Sequence, residues 1–176
     1  MKKGFTFVEI AVTLAIFSVI TACIFLVMSS TRSMWYSSDS SIQLQQELRK
    51  ALSQISDDLK QSSVNKIFLD PSLTLPFPND GASYSTIVFF LNQGVDGSGV
   101  VQWSTNPVSY SLSGSQVIKT NQDGSTAVVA NQISSLSFVR QVSDPNVVSI
   151  SLSAQTTNQI GQTATASLDT EVAFRN

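Results

Sequence analysis

Glu9 is the one charged side chain between Phe5 and Thr31, in the run FTFVEIAVTLAIFSVITACIFLVMSST. An acid at the centre of a membrane helix costs about 2.5–3.5 kcal/mol on insertion scales, and less near the end. A residue kept at that cost normally has a partner and a task. Other groups able to do chemistry are sparse. The sequence contains no histidine, which removes imidazole bases, Ser–His and Cys–His nucleophile pairs and His-containing zinc sites. A single cysteine, Cys23, excludes an intrachain disulfide and a thiolate cluster. Asp57-Asp58 are neighbours on a predicted helix and point in directions roughly 100° apart, so they read as solvated charges and not as a catalytic pair. Asp96-Gly97-Ser98-Gly99 and Asp123-Gly124 supply one or two carboxylates where calcium takes about 6–8 oxygens, and they read as turns. The segment from Gly94 to Gly99 lacks the lysine and following helix of a phosphate loop. The expectation is a protein that is not an enzyme and uses no cofactor or metal.

The elements that would position Glu9 follow from composition. Of 176 residues only 12% are charged, while 42% are hydrophobic, and the charge deficit is concentrated near the start. The uncharged stretch from Ile10 to Thr31 would span roughly 33 Å as a helix, enough to cross a bilayer core. Lys2 and Lys3 precede it, Arg32 follows, and Trp35-Tyr36 stand where an interfacial aromatic belt would lie. The lysines predict a cytoplasmic N-terminus, with the rest of the chain outside the cytoplasm. A net charge of −2 and a pI near 4.9 argue against nucleic acid as a partner. A plain anchor gives Glu9 no partner, and a conventional secretory signal would be cut after the apolar run. Ile20-Thr21-Ala22-Cys23 loosely resembles a lipobox. The apolar Ile-Phe-Leu-Val-Met after Cys23 and the acid before it argue against lipidation, and Cys23 reads as an inert apolar helix residue.

Lys2-Lys3-Gly4-Phe5-Thr6-Phe7-Val8-Glu9-Ile10 resembles the class III signal of type IV prepilins and type II secretion pseudopilins. The resemblance implies that a prepilin peptidase cuts between Gly4 and Phe5 and N-methylates Phe5, so the apolar helix is kept in the mature protein. It also implies a pilin-like fold and lodging in membrane lipid before assembly. Partners would be other pilins or pseudopilins through the N-terminal helix, and an ATPase-driven inner-membrane assembly platform. The ammonium freed at Phe5 and Glu9 of a neighbour would then be two costly charges that become tolerable as a pair, and a misregistered neighbour would leave one unpaired. Glu9 is thus expected to set register. Phe7 and Ile10 stand where leucine is commoner in the family. The proline that many major pilins carry in this segment is absent, which favours a pseudopilin or minor pilin.

No glycine or proline occurs between Phe5 and Asp70, so a single helix from Phe5 to about Ser62, roughly 87 Å long, is expected. Leu44, Leu48, Leu52, Ile55 and Leu59 form one apolar stripe for packing on a sheet, with Gln45, Glu47, Arg49, Lys50, Asp57 and Lys60 on solvated sides. Pro71, Pro76, Pro78 and Asp80-Gly81 mark an irregular connection. Eight strands are expected after it: Ser85–Leu91, Val100–Trp103, Val108–Leu112, Gln116–Thr120, Ala127–Ala130, Ser135–Val142, Val147–Leu152 and Ala164–Phe174. Asp96-Gly97, Ser113-Gly114 and Asp123-Gly124 serve as tight reversals between them. Leu136, Phe138 and Val142, and likewise Val148, Ile150 and Leu152, alternate as in a half-buried strand. Short links predict antiparallel pairing, in an α+β fold with one helix laid across a sheet of about five to eight strands.

The expected division is a leader at 1–4, a transmembrane and filament-core helix half at 5–31, an amphipathic half at 32–63 and a β-rich domain at 64–176. The many short strands ending in Ala173-Phe174-Arg175-Asn176 are similar to the J-type minor pseudopilin and the minor pilins grouped with it. That resemblance implies a tip-associated structural subunit acting in filament initiation and protein secretion. A minor pilin for adhesion, motility or DNA uptake is the alternative, followed by a lipidated or simply anchored envelope protein.

Overall fold

The absence of glycine and proline over more than sixty residues has its expected consequence: helix α1 runs unbroken over Phe7–Leu59, through the serine-rich stretch that propensity alone disfavours. The computed structural model describes residues 6–157, 161 and 163–174, without the side chains of residues 32, 33, 36 and 37. The chain divides into two units, one ending at Asp39 and one running from Ser40, and α1 supplies residues to both.

In the first unit Phe7–Thr31 is a 25-residue apolar span, with a mean hydropathy of 2.8 over its most apolar 18 residues, whose side chains are not buried within the molecule. Phe7, Phe17 and Phe25 are 86%, 69% and 71% exposed, which makes sense for a helix whose solvent is something other than water. Hydroxyls along the span fold back onto the helix. Thr13 Oγ1 donates to the carbonyls of Glu9 (3.0 Å) and Ile10 (2.9 Å), Thr21 Oγ1 to Phe17 (2.8 Å) and Thr31 Oγ1 to Val27 (2.8 Å). These polar groups therefore need no water.

In the second unit Leu44, Leu48, Leu52, Ile55 and Leu59 are buried, together with Ala51 and Ser56. Helix α1 stops at Leu59, short of the expected Ser62. Gln61 and Ser62 donate three residues back, to Asp58 and Leu59, so the chain tightens as it enters Ser62-Ser63, which are poor helix formers. A single 3₁₀ turn follows at Val64–Lys66.

The strands are β1 (Ile67–Phe68), β2 (Thr86–Phe89), β3 (Asn92–Val95), β4 (Val101–Trp103), β5 (Val108–Ser113), β6 (Gln116–Thr120), β7 (Thr126–Ala130), β8 (Ile133–Arg140), β9 (Val147–Thr157) and β10 (Thr163–Ala173). They form a five-stranded sheet in the order β1-β2-β5-β6-β7, a three-stranded sheet β10-β9-β8 and a two-stranded ribbon β3-β4, all antiparallel. The single sheet expected from the sequence is thus corrected to three. Between the larger two lie an isolated bridge of Tyr84, just before β2, with Phe138 and a hydrogen bond from the Ile133 N–H to the Ser115 carbonyl. Strands β1 and β3 were not anticipated, and Val142 lies beyond β8 at 62% exposure. Asp144 caps the loop there, its Oδ1 accepting the backbone N–H of Asn146, and β9 begins at Val147. One core joins the helix stripe to Ile87, Phe89, Tyr110, Val117, Phe138, Ile150 and Leu152, an α+β pilin-like arrangement in which the second half of α1 packs on antiparallel sheet.

Candidate functional site

The start of α1 is built by four residues. Thr6 stands at the N-cap and Glu9 in the first turn. Glu9 donates its backbone N–H to Thr6 Oγ1 (3.3 Å), while Glu9 Oε2 accepts the backbone N–H of Thr6 (3.3 Å) and its hydroxyl (3.4 Å). This reciprocal capping box satisfies two of the N–H groups that every helix start leaves unpaired. In an apolar surrounding, an unsatisfied group of that kind costs several kcal/mol. The carboxylate also sits at the positive end of the helix macrodipole. Glu9 therefore has a partner within its own chain, where the sequence reading had assigned it only a neighbour's amine. The pattern Thr6-Phe7-Val8-Glu9 was the available signal, since Thr-x-x-Glu before an apolar run is the form a capping box takes.

Gly4 and Phe5, the expected cleavage and methylation positions, lie outside the described residues. Cys23 is exposed inside the continuous helix.

Asp58 corrects a second expectation. Asp57 is a solvated charge, 3.4 Å from Lys60 with both side chains more than half exposed. Asp58 instead turns into the domain. Its Oδ2 accepts Lys119 Nζ at 2.6 Å and the Tyr110 hydroxyl at 2.5 Å, and the Asp58 and Lys119 side chains are only 17% and 15% exposed. The Tyr110 ring is buried and stacked on Phe89 at 6.1 Å, with Lys119 Nζ 5.8 Å from its centroid. Burial first, and then the Asp58 carboxylate, push the Tyr110 hydroxyl well above its ordinary range, so it remains a neutral donor. The missed signal was the phase of the stripe: Asp58 follows Leu44, Ala51 and Ile55 at spacings of 14, 7 and 3 residues, which keeps it near the buried face.

The aspartates of the turns are occupied by their own loops. Asp96 Oδ1 accepts the backbone N–H groups of Ser98 (2.8 Å) and Val100 (2.9 Å), and Oδ2 accepts Gln102 Nε2 (2.9 Å). Asp123 Oδ1 accepts the backbone N–H and the hydroxyl of Ser125. Among the described residues no three His, Cys, Asp or Glu side chains are grouped to hold a metal ion. The N–H of Val100, then that of Ser98, holds the Asp96 carboxyl below its ordinary 3.8. A depressed folded value means that the loop's stabilisation is complete above the ordinary value and is lost as pH falls from there through the folded one. Protection of the Ser98 and Val100 amides, corrected for intrinsic exchange, is expected to be level above about pH 5 and to fall below the ordinary carboxylate value. Asp96→Asn should remove that pH dependence, and a pH response surviving in the variant would assign it elsewhere.

The description "prokaryotic N-terminal methylation motif" belongs to a family model that matches residues 1–22. No curated protein matches the chain. The motif supports a type IV pilin- or pseudopilin-like protein, and it implies leader removal by a prepilin peptidase and assembly with other pilins in general. The 25-residue apolar span is consistent with single-pass anchoring in the inner membrane.

Proposed function

We propose that the chain is a minor pseudopilin or minor pilin, a structural subunit placed near the tip of a short envelope-spanning filament and acting in its initiation and in protein secretion. Before assembly it lies in the inner membrane, N-terminus cytoplasmic and β-rich domain outside. One observation carries the reading. The single acid of the apolar span sits four residues after Phe5, inside the matched motif, at the cap of a helix with no buried side chains in the span. Cutting after Gly4 removes Lys2 and Lys3 and creates an ammonium at Phe5, so the mature chain gains an amine next to the apolar span while its side chains become more acidic by two charges. Glu9 leaves its own cap to meet the ammonium of a neighbour, exchanging a weak intrachain partner for a full charge. Register follows because a neighbour displaced by any other distance leaves both charges unpaired in an apolar surrounding.

The test is the intact mass of the chain purified from its native membrane. Loss of Met1–Gly4 with one added methyl is the expected result. A diacyl adduct at Cys23 would replace the reading with a lipoprotein, and a chain beginning at Met1 would replace it with a plain anchor. For a chain processed as expected, a secretion assay in a deletion strain separates a secretion role from adhesion, motility or DNA uptake.

A further inference from the structure

The buried side of α1 is nearly periodic. Leu44, Leu48, Leu52, Ile55 and Leu59 repeat about once per helical turn, and all are buried against the sheets. A shift of four residues, about 6 Å along the axis, puts Leu44 where Leu48 stood, Leu48 where Leu52 stood and Ile55 where Leu59 stood. Apolar burial is non-directional, so it discriminates poorly between those positions. The Asp58 cluster discriminates strongly. Tyr110 and Lys119 are register partners on β5 and β6, so their polar ends are fixed side by side, and α1 supplies one carboxylate that reaches both. Shifted by four residues in one direction, the helix would present Gln54 there; in the other it would bring up Ser62, which lies past the end of α1 at Leu59. Neither neutral group balances the ammonium of a lysine whose side chain is 15% exposed.

We infer that Asp58, held by Lys119 and Tyr110, is the residue that sets the axial register of α1 against the five-stranded sheet. A single polar contact in an apolar seam acts the same way in coiled coils, where it selects one alignment among several of similar stability. The inference concerns the second unit alone and does not rest on the filament reading. The Tyr110 hydroxyl fits the role, since burial and the Asp58 carboxylate raise it above its ordinary range and keep it a neutral donor.

The experiment uses the full chain in lipid nanodiscs, in a Cys23→Ser background. Spin labels are placed at the exposed positions 53 and 126 through Ser53→Cys and Thr126→Cys, one on α1 and one on β7. Electron–electron distance measurements on this parent are expected to give one narrow population. Asp58→Leu/Tyr110→Phe/Lys119→Met keeps the volume and removes the polarity. It is expected to retain the thermal midpoint within a few degrees, because apolar replacement of a buried ion pair is often neutral or stabilising. Its distances should nevertheless split, with a second population displaced by the projection of that four-residue shift. A single unchanged population in the folded triple variant would overturn the inference. Should the triple variant not fold, Lys119→Gln carries the same readout: a second population supports the assignment, and an unchanged single population overturns it.

Discussion

Replacing Glu9 by alanine is expected to leave the chain in the membrane and to lower its recovery in the sheared or cross-linked filament fraction at least tenfold. Insertion is eased by the change, because the span loses its one charge. Unfolding of the second unit is not expected, since among the described residues the Glu9 side chain is hydrogen-bonded to Thr6 at its own helix start. On the proposed reading, what is lost is the charge that pairs with a neighbour's ammonium. A tenfold effect corresponds to about 1.4 kcal/mol, which is modest beside the roughly 3–5 kcal/mol that follows from stranding one member of a buried pair. Glu9→Gln makes the experiment specific. Glutamine at this position can still close the capping box with Thr6, yet it carries no charge. If pairing sets register, glutamine fails as badly as alanine. Normal recovery of Glu9→Gln beside a defective Glu9→Ala would assign the residue to capping, and normal recovery of both would remove it from assembly.

How far such arguments reach from sequence depends on whether a property is local. The apolar span, the absence of helix breakers and the stripe from Leu44 to Leu59 are periodic over many residues, and periodicity survives any tertiary detail. Strands β5 and β6, with Ser113-Gly114 between them, were legible for the same reason: alternation bounded by a turn with Gly114 at φ 59°. Strand β1 has two residues, Ile67 and Phe68, too few for alternation to register, and exists because Phe89 and Val88 pair with them. Strand β3 reads Asn-Gln-Gly-Val, a run with poor strand propensity. The backbone N–H of Asn92 at its start is held by the carbonyl of Gln61, and its pairing comes from β4. The split into separate sheets is a decision between distant segments that no window of sequence contains. The Thr6–Glu9 box could have been read, since its pattern is local. The partners of Asp58 could not, because Tyr110 and Lys119 are brought to it only by the fold, more than fifty residues away in the chain.

The junction between the two larger sheets is where the second unit should be most sensitive to loss of volume. Phe138 has no exposed surface. Its backbone N–H donates to the Tyr84 carbonyl (2.8 Å) and its carbonyl accepts the Tyr84 N–H (3.0 Å), a bridge between β8 and the segment leading into β2. On the other side of β8 it pairs with Ile150, also fully buried. The Tyr84 ring meets Phe77 edge-on at 5.4 Å, and its hydroxyl donates to Asp80 Oδ2 at 2.6 Å, so the neighbours are anchored and cannot collapse into a gap. Phe138→Ala keeps the backbone bridge and empties the ring's place. In such a site the cost is transfer plus cavity, about 3–5 kcal/mol. With roughly 2–4 °C per kcal/mol for a domain near this size, the thermal midpoint of the full chain in nanodiscs, followed by near-ultraviolet circular dichroism, is expected to fall by about 8–15 °C. Val128→Ala on β7 is the comparison, since Val128 is 52% exposed and its truncation should move the midpoint by about 2 °C or less. Equal shifts for the two variants would mean that the core is not centred on this junction. If Phe138→Ala is too unstable to purify, Phe138→Leu preserves most of the volume and should still fall further than Val128→Ala, by about 1 kcal/mol.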